Sequence, residues 1–364
     1  MQCGIITHYD VHNHGAILQL LALKNVLKKR FNIEAKALQF EKNYDFLGSD
    51  LKNKYNISIR SFGYYWDYFK ERGISAFYYN FQKRKTLEKF KMTHSLVGKY
   101  YTDYANLDYI IIGSDEVFAL HTGPTPVFWG HGLPSDRVFS YAGSFGPTTL
   151  EDIYRLHCAA LASSGLSNMN GVSVRDQNSK EIIYSLTGID TPVVVDPVLL
   201  YGYPDEIAQQ KKQLRDKYMI VYAYDKRMNS ADEVDNIVSF ARRNKLKIVS
   251  PGFYHKWADL NVNTDPIELL GWFKYADYVI TDTFHGTVMS LITNRPVSTI
   301  VRDNSNKLLN LLKEYHLEDR LMKNIATDLP QQFPRPINYI KVNGYVEQRR
   351  LDSLKYLQKQ INEE

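Results

Sequence analysis

The sequence is poor in cysteine: Cys3 and Cys158 are the only two in 364 residues. Two isolated thiols supply neither the spacing of a metal-binding cluster nor a disulfide framework, so a reducing compartment is the economical interpretation. The sequence also has no apolar run that approaches the length of a membrane span. Near the start, His8, Asp10 and His12 interrupt any apolar signal-peptide core. We therefore predict a cytoplasmic protein.

Internal repeats, low-complexity tracts and a glycine-rich phosphate loop are absent as well. Hydrophobic residues make up 44% of the chain and charged residues 23%, which is typical of a globular protein. The length suits two domains, each able to bury its own core. The net charge of +5 is mild, and no motif of the nucleic-acid-binding classes is present, so we predict no nucleic-acid partner.

Short apolar segments alternate with helical patterns along the chain, which is typical of parallel α/β folds. Strands are predicted at 3–7, 35–40, 109–112, 138–141, 171–174, 193–195, 219–223, 247–250, 278–281 and 297–301. Helices are predicted at 15–27, 150–161, 177–186, 231–243, 266–274, 308–315 and 346–361. A polar stretch at 201–217 marks a boundary. We predict two Rossmann-like domains facing across a cleft, one over residues 1–200 and one over 201–364 with the terminal helix.

The segment 52–101 holds the basic excess, with eleven Lys and Arg against Asp67, Glu71 and Glu88, and many aromatic residues between them. We predict a helical insert of the first domain at about residues 45–105, with an aromatic core and a solvated basic face. The same composition suits anionic lipid or a glycan. Peripheral contact with the inner face of the membrane is therefore the alternative.

The stretch 275–300 reads as strand, turn, helix and strand, with residues 282–286 (DTFHG) in the turn. Ligands of parallel sheets bind at such strand-to-helix loops, and a helix N-terminus offers N–H groups to a phosphate or carboxylate. His285 and Gly286 are therefore candidates for an anion site. The alternative is that Asp282 or Thr283 only caps the helix and His285 binds nearby backbone.

Other strand ends carry further candidates. Asn13 and Gly15 lie at the first strand-to-helix junction, where small residues allow a close approach to a ligand. Asp115 follows a buried strand and could serve as an acid or base, or only as a turn residue. Arg175 could bind a carboxylate or phosphate through its guanidinium, or only pair with Asp176.

Together these motifs resemble the polysaccharide pyruvyl transferase family. The resemblance rests on six segments in family order, followed by Arg295 and Pro296: NHGAILQ at 13–19, GSDEVF at 113–118, YAGSFG at 141–146, SVRD at 173–176, DPVLL at 196–200 and TDTFHGTVMS at 281–290. It implies a fold similar to the GT-B glycosyltransferases. It also implies transfer of a pyruvyl group from phosphoenolpyruvate to two sugar hydroxyls, which forms a cyclic ketal on a cell-surface or exopolysaccharide precursor.

By the same resemblance, the second domain holds the donor and the first holds the sugar or lipid-linked oligosaccharide acceptor. Arg175 and His285 serve the donor, with His285 as the acid and Asp115 as the base. The remaining substrate-binding candidates are Asn13, Gly15, Ser114, Ser144, Thr283, Gly286 and Lys307. Phosphoenolpyruvate is a substrate, and we expect neither a cofactor nor a metal.

The sequence departs from the family at several positions. Thr283 stands where several members have an Arg, Glu116 and Phe118 where many have Gln and Trp, and Lys307 where an Arg is common. Arg302 or Lys307 could compensate for Thr283. Two alternatives stay open: a glycosyltransferase that uses a nucleotide-sugar, and a glycan-assembly binding protein without catalysis.

Overall fold

A computed structural model describes residues 1–42, 61–302 and 306–362 of the chain. The elements of the first half are β1 (Gln2–Ile6), α1 (His14–Phe31), β2 (Glu34–Gln39), α2 (Ser61–Thr93), β3 (Val97–Tyr100), β4 (Tyr109–Ile112), β5 (Val138–Ser140), α3 (Leu150–Arg155), α4 (Ala159–Asn168), α5 (Gln177–Thr187), α6 (Pro197–Tyr201) and α7 (Pro204–Gln209).

The elements of the second half are β6 (Tyr218–Tyr222), α8 (Ala231–Arg243), β7 (Lys247–Pro251), β8 (Leu260–Val262), α9 (Pro266–Tyr275), β9 (Tyr278–Thr281), α10 (Phe284–Ile292), β10 (Val297–Ile300), α11 (Asn306–Glu314), β11 (Leu321–Met322), α12 (Ile325–Gln332) and α13 (Tyr339–Asn362).

These strands form two parallel sheets. The first has the order β3-β2-β1-β4-β5 and the second the order β11-β10-β9-β6-β7-β8. The apolar strands β4 and β9 are buried along their whole length near the middle of each sheet, as expected for strands covered on both faces. The carboxyl ends of β4 and β9 therefore deliver the loops at residues 113–118 and 282–286.

One hydrophobic cluster spans the two halves, and in it α1 packs against α6 and α9. Each half also has a separate hydrophobic cluster of its own. The terminal helix α13, predicted with the second half, packs against the first sheet. Its Tyr356 hydroxyl donates to the Ser140 carbonyl at 2.9 Å, and the Val195 N–H donates to the Ser353 hydroxyl at 3.0 Å. The boundary near residue 200 stays a prediction.

Three predicted elements differ in the structure. The segments predicted as strands at 171–174 and 193–195 make only isolated bridges beyond β5, where Pro192 has no N–H to extend a ladder. The helix predicted at 150–161 is divided into α3 and α4, because His157 between them adopts a positive φ of 55°.

The predicted basic insert is described only in part, since residues 43–60 lie outside the described residues. Helix α2, interrupted at Gly73, follows them. Its later turns contact the second half: the Tyr79 hydroxyl donates to the Val262 carbonyl at 2.7 Å and the Asn80 amide to Asp225 at 3.1 Å. No helix in the described ranges is long and apolar enough to cross a membrane.

Candidate active site

Loops from both halves of the chain meet at the buried side chain of Arg175. One guanidinium nitrogen donates to Asp196 Oδ2 at 2.9 Å and to Gln19 Oε1 at 3.1 Å. The other terminal nitrogen lies 3.5 Å from Asp115 Oδ1. The guanidinium also stacks on the Phe284 ring, with its carbon 4.6 Å from the ring centre. A fixed positive charge is thus held at the junction of the two sheets.

Asp196 connects Arg175 to His285. One carboxylate oxygen caps α6 by accepting from the Val198 N–H at 2.9 Å, and the other faces Arg175 and lies 3.6 Å from His285 Nε2. Burial opposes ionisation of Asp196, but His285 and Arg175 outweigh it and hold its pKa below the ordinary value. The two side chains that the sequence predicted for the donor therefore lie around a single ionised carboxylate.

Four buried nitrogen atoms at this junction make no hydrogen bond to the described residues, although two of them face carboxylates at 3.5 and 3.6 Å. They are Arg175 Nε and its second terminal nitrogen, Gln19 Nε2 and His285 Nε2. An unpaired buried donor costs free energy, so native structures rarely leave several together. Donors that surround a fixed guanidinium fit a ligand rich in acceptor oxygens, such as a carboxylate or a phosphate.

Asp115 lies at the end of β4 beside Arg175. It adopts a positive φ of 82°, and Gly113 before it is required because a Cβ there would lie 2.2 Å from the Tyr141 carbonyl oxygen. Burial opposes its charge, but Arg175, followed by His8, His285 and Lys307, outweighs burial and places the pKa of Asp115 well below the ordinary value. Asp115 is therefore an ionised carboxylate and a weak proton acceptor.

Lys307 brings a second cation to the same junction. Its ammonium group donates to the Glu116 carboxylate, which joins α11 to the loop after β4. Burial disfavours the charge, yet Glu116 more than compensates and the pKa of Lys307 is raised. Arg302, the other predicted substitute for a family arginine, instead hydrogen-bonds to Glu233. Of the two, Lys307 is the one beside Asp115 and Arg175.

Comparison with known proteins identifies the family of the chain. The family model described as polysaccharide pyruvyl transferase matches residues 13–304. The protein belongs to the polysaccharide pyruvyl transferase family. Membership makes it a transferase, and the matched range includes Arg175, Asp196 and His285 but ends before Lys307. No curated protein sequence matches the chain significantly.

Solved structures with the same fold are only distantly related in sequence. S. aureus MnaA, in a co-structure with UDP, has a TM-score of 0.51 at 14% identity and covers 100% of this chain and 98% of its own. UDP-GlcNAc 2-epimerase of Methanocaldococcus jannaschii, in complex with UDP-GlcNAc and UDP, scores 0.52 at 13% identity, with 98% and 100% coverage. A putative UDP-N-acetylglucosamine 2-epimerase of Listeria monocytogenes scores 0.53 at 10% identity, with 100% and 97% coverage. The predicted GT-B-like fold is confirmed.

In this pyruvyl transferase family member, Gly15 lies against the imidazole of His285. A Cβ at position 15 would lie 2.3 Å from both Cγ and Nδ1 of that ring. The absence of a side chain at position 15 leaves room for the histidine ring, and the predicted substrate contact by Gly15 stays a prediction. The glycine at the start of α1 thus fixes where His285 of α10 lies.

Two predicted substrate-binding residues cap helices. Asn13 begins α1 by accepting from the Gly15 N–H at 2.8 Å, and Thr283 begins α10 by accepting from the Gly286 N–H at 2.9 Å. At Gly286 a Cβ would lie 2.1 Å from the Thr281 hydroxyl, so the glycine serves close packing of helix on strand. Direct substrate contact by Asn13, Thr283 and Gly286 stays a prediction.

The two serines predicted to bind substrate have different hydrogen-bond partners. Ser114 donates its hydroxyl to Gln19 Oε1, so it orients the same amide that contacts Arg175. Ser144 is fully buried and donates to Asp176 Oδ2 at 2.6 Å, while Asp176 caps α5. Ser144 thus supports a neighbouring helix, and a role in substrate binding stays a prediction.

Sequence reasoning did not select Gln19 or Asp196 as site residues. Gln19 is 3% exposed in the apolar stripe of α1. A polar residue at a buried helical position could have identified it as a candidate site residue, because such a residue needs a polar partner. Asp196 precedes Pro197, which marks it as a helix cap, but its second oxygen could not be assigned from sequence.

A second polar cluster surrounds Asp282 at the end of β9. The residue is 4% exposed, and neither carboxylate oxygen has a side-chain hydrogen-bond partner among the described residues. Arg227 and Arg302 lie 3.9 and 3.7 Å from Oδ2, beyond hydrogen-bond distance. Burial outweighs both arginines and raises the pKa of Asp282 to about 6.

We predict that Gly15→Ala destabilises the protein, because the added methyl forces the His285 ring from its position. Overpacking of this kind costs about 1–3 kcal/mol in the free energy of unfolding. Urea denaturation measures it, with Gly344→Ala in α13 as the control, since a Cβ there meets no atom within 4 Å. Equal stability of Gly15→Ala and wild type would show that α1 and α10 do not pack as described.

We predict that Asp282→Asn stabilises the protein at pH 7.5. The folded state then no longer holds an ionised carboxylate whose pKa lies about two units above its ordinary value, worth at most about 3 kcal/mol. Between pH 6 and 4 the wild-type folded state gains a proton that the unfolded state lacks, so the advantage of the variant shrinks as pH falls. Calorimetric melting across this range tests the prediction, and a pH-independent difference contradicts it.

Proposed function

We propose that the protein transfers a pyruvyl group from phosphoenolpyruvate to two hydroxyls of a sugar in a cell-surface or exopolysaccharide precursor, forming a cyclic ketal. The observation that supports this donor is the buried guanidinium of Arg175, surrounded by donors without acceptors. Phosphoenolpyruvate carries a carboxylate and a phosphate, which supply the missing acceptor oxygens.

The charges at the junction bear on how such an anion binds. Asp115, Glu116 and Asp196 outnumber the two cations Arg175 and Lys307. In this proposal Arg175, Lys307 and the unpaired N–H groups around them bind the negative charges of the donor directly. Burial lowers the pKa of the nearby His8, so that ring stays neutral.

The proposed reaction requires a proton donor, and we assign this role to His285. A sugar hydroxyl adds to C2 of phosphoenolpyruvate while His285 delivers a proton to the methylene carbon, which becomes the methyl group. The second hydroxyl then adds to C2, and the C–O bond to phosphate breaks. Of the two hydroxyl protons, one replaces the proton that His285 gave and the other leaves with inorganic phosphate. Arg175 and Lys307 stabilise the departing charge, and the reaction consumes no cofactor.

Asp115 and the remaining candidates take supporting roles in this proposal. Because its pKa is depressed, Asp115 holds Arg175 in place more readily than it removes a proton. Gln19, fixed by Ser114, presents its free amide nitrogen to the donor.

A nucleotide-sugar-dependent glycosyltransferase is the second candidate. Structures of the same fold were obtained with UDP or UDP-GlcNAc, and a fold of this type permits either donor. A binding protein that lost its chemistry is disfavoured, since Arg175 and His285 both remain at the junction.

We predict that phosphoenolpyruvate, but not a panel of UDP-sugars, raises the melting temperature of the protein, because ligands of the native state stabilise it.

Arg175→Lys should weaken phosphoenolpyruvate binding about tenfold or more, since lysine lacks the planar fork of the guanidinium. Arg155→Lys, which changes an exposed arginine paired with Asp152, is the matched control. His285→Asn should retain much of the affinity for phosphoenolpyruvate and lose about 100-fold or more in acceptor-dependent phosphate release.

In the melting-temperature experiment, selective stabilisation by a UDP-sugar would instead favour the glycosyltransferase.

We also propose peripheral contact with anionic lipid through one face of α2. Ile74, Tyr78 and Phe81 are 69%, 62% and 58% exposed at helical spacing, and the exposed Arg84 and Lys85 follow them.

Vesicles that contain phosphatidylserine should therefore bind the protein at low salt and release it as salt rises. Tyr78→Ser with Phe81→Ser should abolish cosedimentation, whereas Tyr184→Ser, at an exposed tyrosine of α5, should leave it unchanged. Binding that ignores both salt and the double change would exclude this surface.

A further inference from the structure

We propose that the exposed ring of Tyr224 packs against one face of the acceptor sugar and so positions the sugar beside the donor. The inference rests on the proposed pyruvyl transfer. It adds a contact from the second half of the chain to the acceptor, which the resemblance to the family places in the first half.

Tyr224 lies on the loop that follows β6, beside the loop that carries His285. Strands β6 and β9 are neighbours in the second sheet, and Tyr222 pairs with Thr281 at their carboxyl ends. From β6 the chain continues to β7 on one side, whereas β9 lies on the other side and is followed there by β10. The strand order thus reverses between β6 and β9. Ligands of parallel sheets bind outside the carboxyl ends of the strands at such a point.

The side chain of Tyr224 is open to solvent, although the strand that leads to it is buried. Tyr224 is 43% exposed, while Tyr222 and Ala223 are 1% and 0% exposed. Phe253 packs against its ring with 5.4 Å between the ring centres, and the guanidinium carbon of Arg227 lies 5.4 Å from the ring centre. These contacts hold the ring in place, and its exposed part remains accessible to a ligand.

The phenol group of Tyr224 lies within electrostatic range of the candidate active site. Partial burial raises the pKa of its hydroxyl, the ammonium group of Lys307 opposes this shift, and the carboxylates of Glu116 and Asp115 add to it. Single exposed aromatic residues are ordinary on protein surfaces. An exposed ring at the reversal point of the sheet, near Asp115 and Lys307, has instead the position of a substrate contact.

A pyranose ring suits this surface. The C–H groups on one face of the sugar carry slight positive charge and pack on the electron-rich face of an aromatic ring. Its hydroxyl groups project from the edge, where they remain free to react. Phosphoenolpyruvate is a small anion without such an apolar face, so the ring fits the acceptor better than the donor. A uracil base would also stack on Tyr224, and the experiment therefore includes UDP.

The loops after β6 and β9 leave the sheet side by side. A sugar on Tyr224 is therefore next to the loop that presents His285, which delivers the proton in the proposed reaction. Arg175 holds the donor from the other half, so the acceptor and the donor meet between the two sheets.

Saturation-transfer NMR with methyl glycosides of glucose, galactose, mannose, N-acetylglucosamine and N-acetylmannosamine, and with UDP as a separate probe, tests the proposal. At least one glycoside should bind the wild-type protein, with the strongest saturation on ring protons of a single face. Tyr224→Ser should weaken that glycoside about tenfold, whereas Tyr224→Phe, which keeps the ring, should retain most of the affinity. Tyr154→Ser, at an exposed tyrosine of α3, is the control. All three variants should bind phosphoenolpyruvate as the wild type does.

Glycoside binding that survives Tyr224→Ser unchanged, or that no member of the panel shows, would overturn the proposal. Loss of UDP binding alone in Tyr224→Ser would also overturn it, since the ring would then bind a nucleobase. A wild-type protein that binds a glycoside through Tyr224 but ignores phosphoenolpyruvate would refute the proposed donor and retain the saccharide contact. If a bound glycoside supports phosphate release, Tyr224→Ser should raise the KM for the glycoside and leave the KM for phosphoenolpyruvate unchanged, a separation that a general loss of structure would not produce.

Discussion

A buried guanidinium has to be paired, and the cluster around Arg175 is one place where the two halves of this protein meet. Asp196 and Asp115 compensate its charge from the first half, and Phe284 covers its face from the second. His285 reaches the same carboxylate of Asp196, and Gly15 leaves room for its ring. Removing one partner of such a cluster leaves an uncompensated buried charge, which is strongly destabilising. The residues of the candidate active site therefore also form part of the junction between the halves.

Asp115 and Asp282, at the ends of β4 and β9, show how the surroundings of a carboxyl group shift its pKa in opposite directions. Asp115 lies beside Arg175, so it contributes stability at neutral pH that is lost as acid protonates it. Asp282 lies beyond hydrogen-bond distance of its arginines, so its ionised form lowers the stability of the folded state at neutral pH. Protonation near pH 6 removes this cost.

Much of this arrangement could be predicted from sequence because parallel sheets place function at the carboxyl ends of their strands. The segments at 109–112 and 278–281 are apolar without interruption, and the polar residues that follow them, Asp115 and His285, were found on that ground. Roles within a loop could not be predicted in the same way. Sequence could not decide between Asp282 and Thr283 as the helix cap, nor show that Asp196 faces both Arg175 and His285, because both depend on side-chain geometry across the chain.

The central claim is that the unpaired donors around Arg175 bind phosphoenolpyruvate. A crystal structure with phosphoenolpyruvate tests it most directly. The claim predicts the ligand at the junction, with acceptor oxygens within hydrogen-bond distance of Arg175 and Gln19 Nε2 and with His285 near the methylene carbon. Phosphoenolpyruvate bound elsewhere, with the Arg175 cluster unchanged and uncontacted, would contradict it.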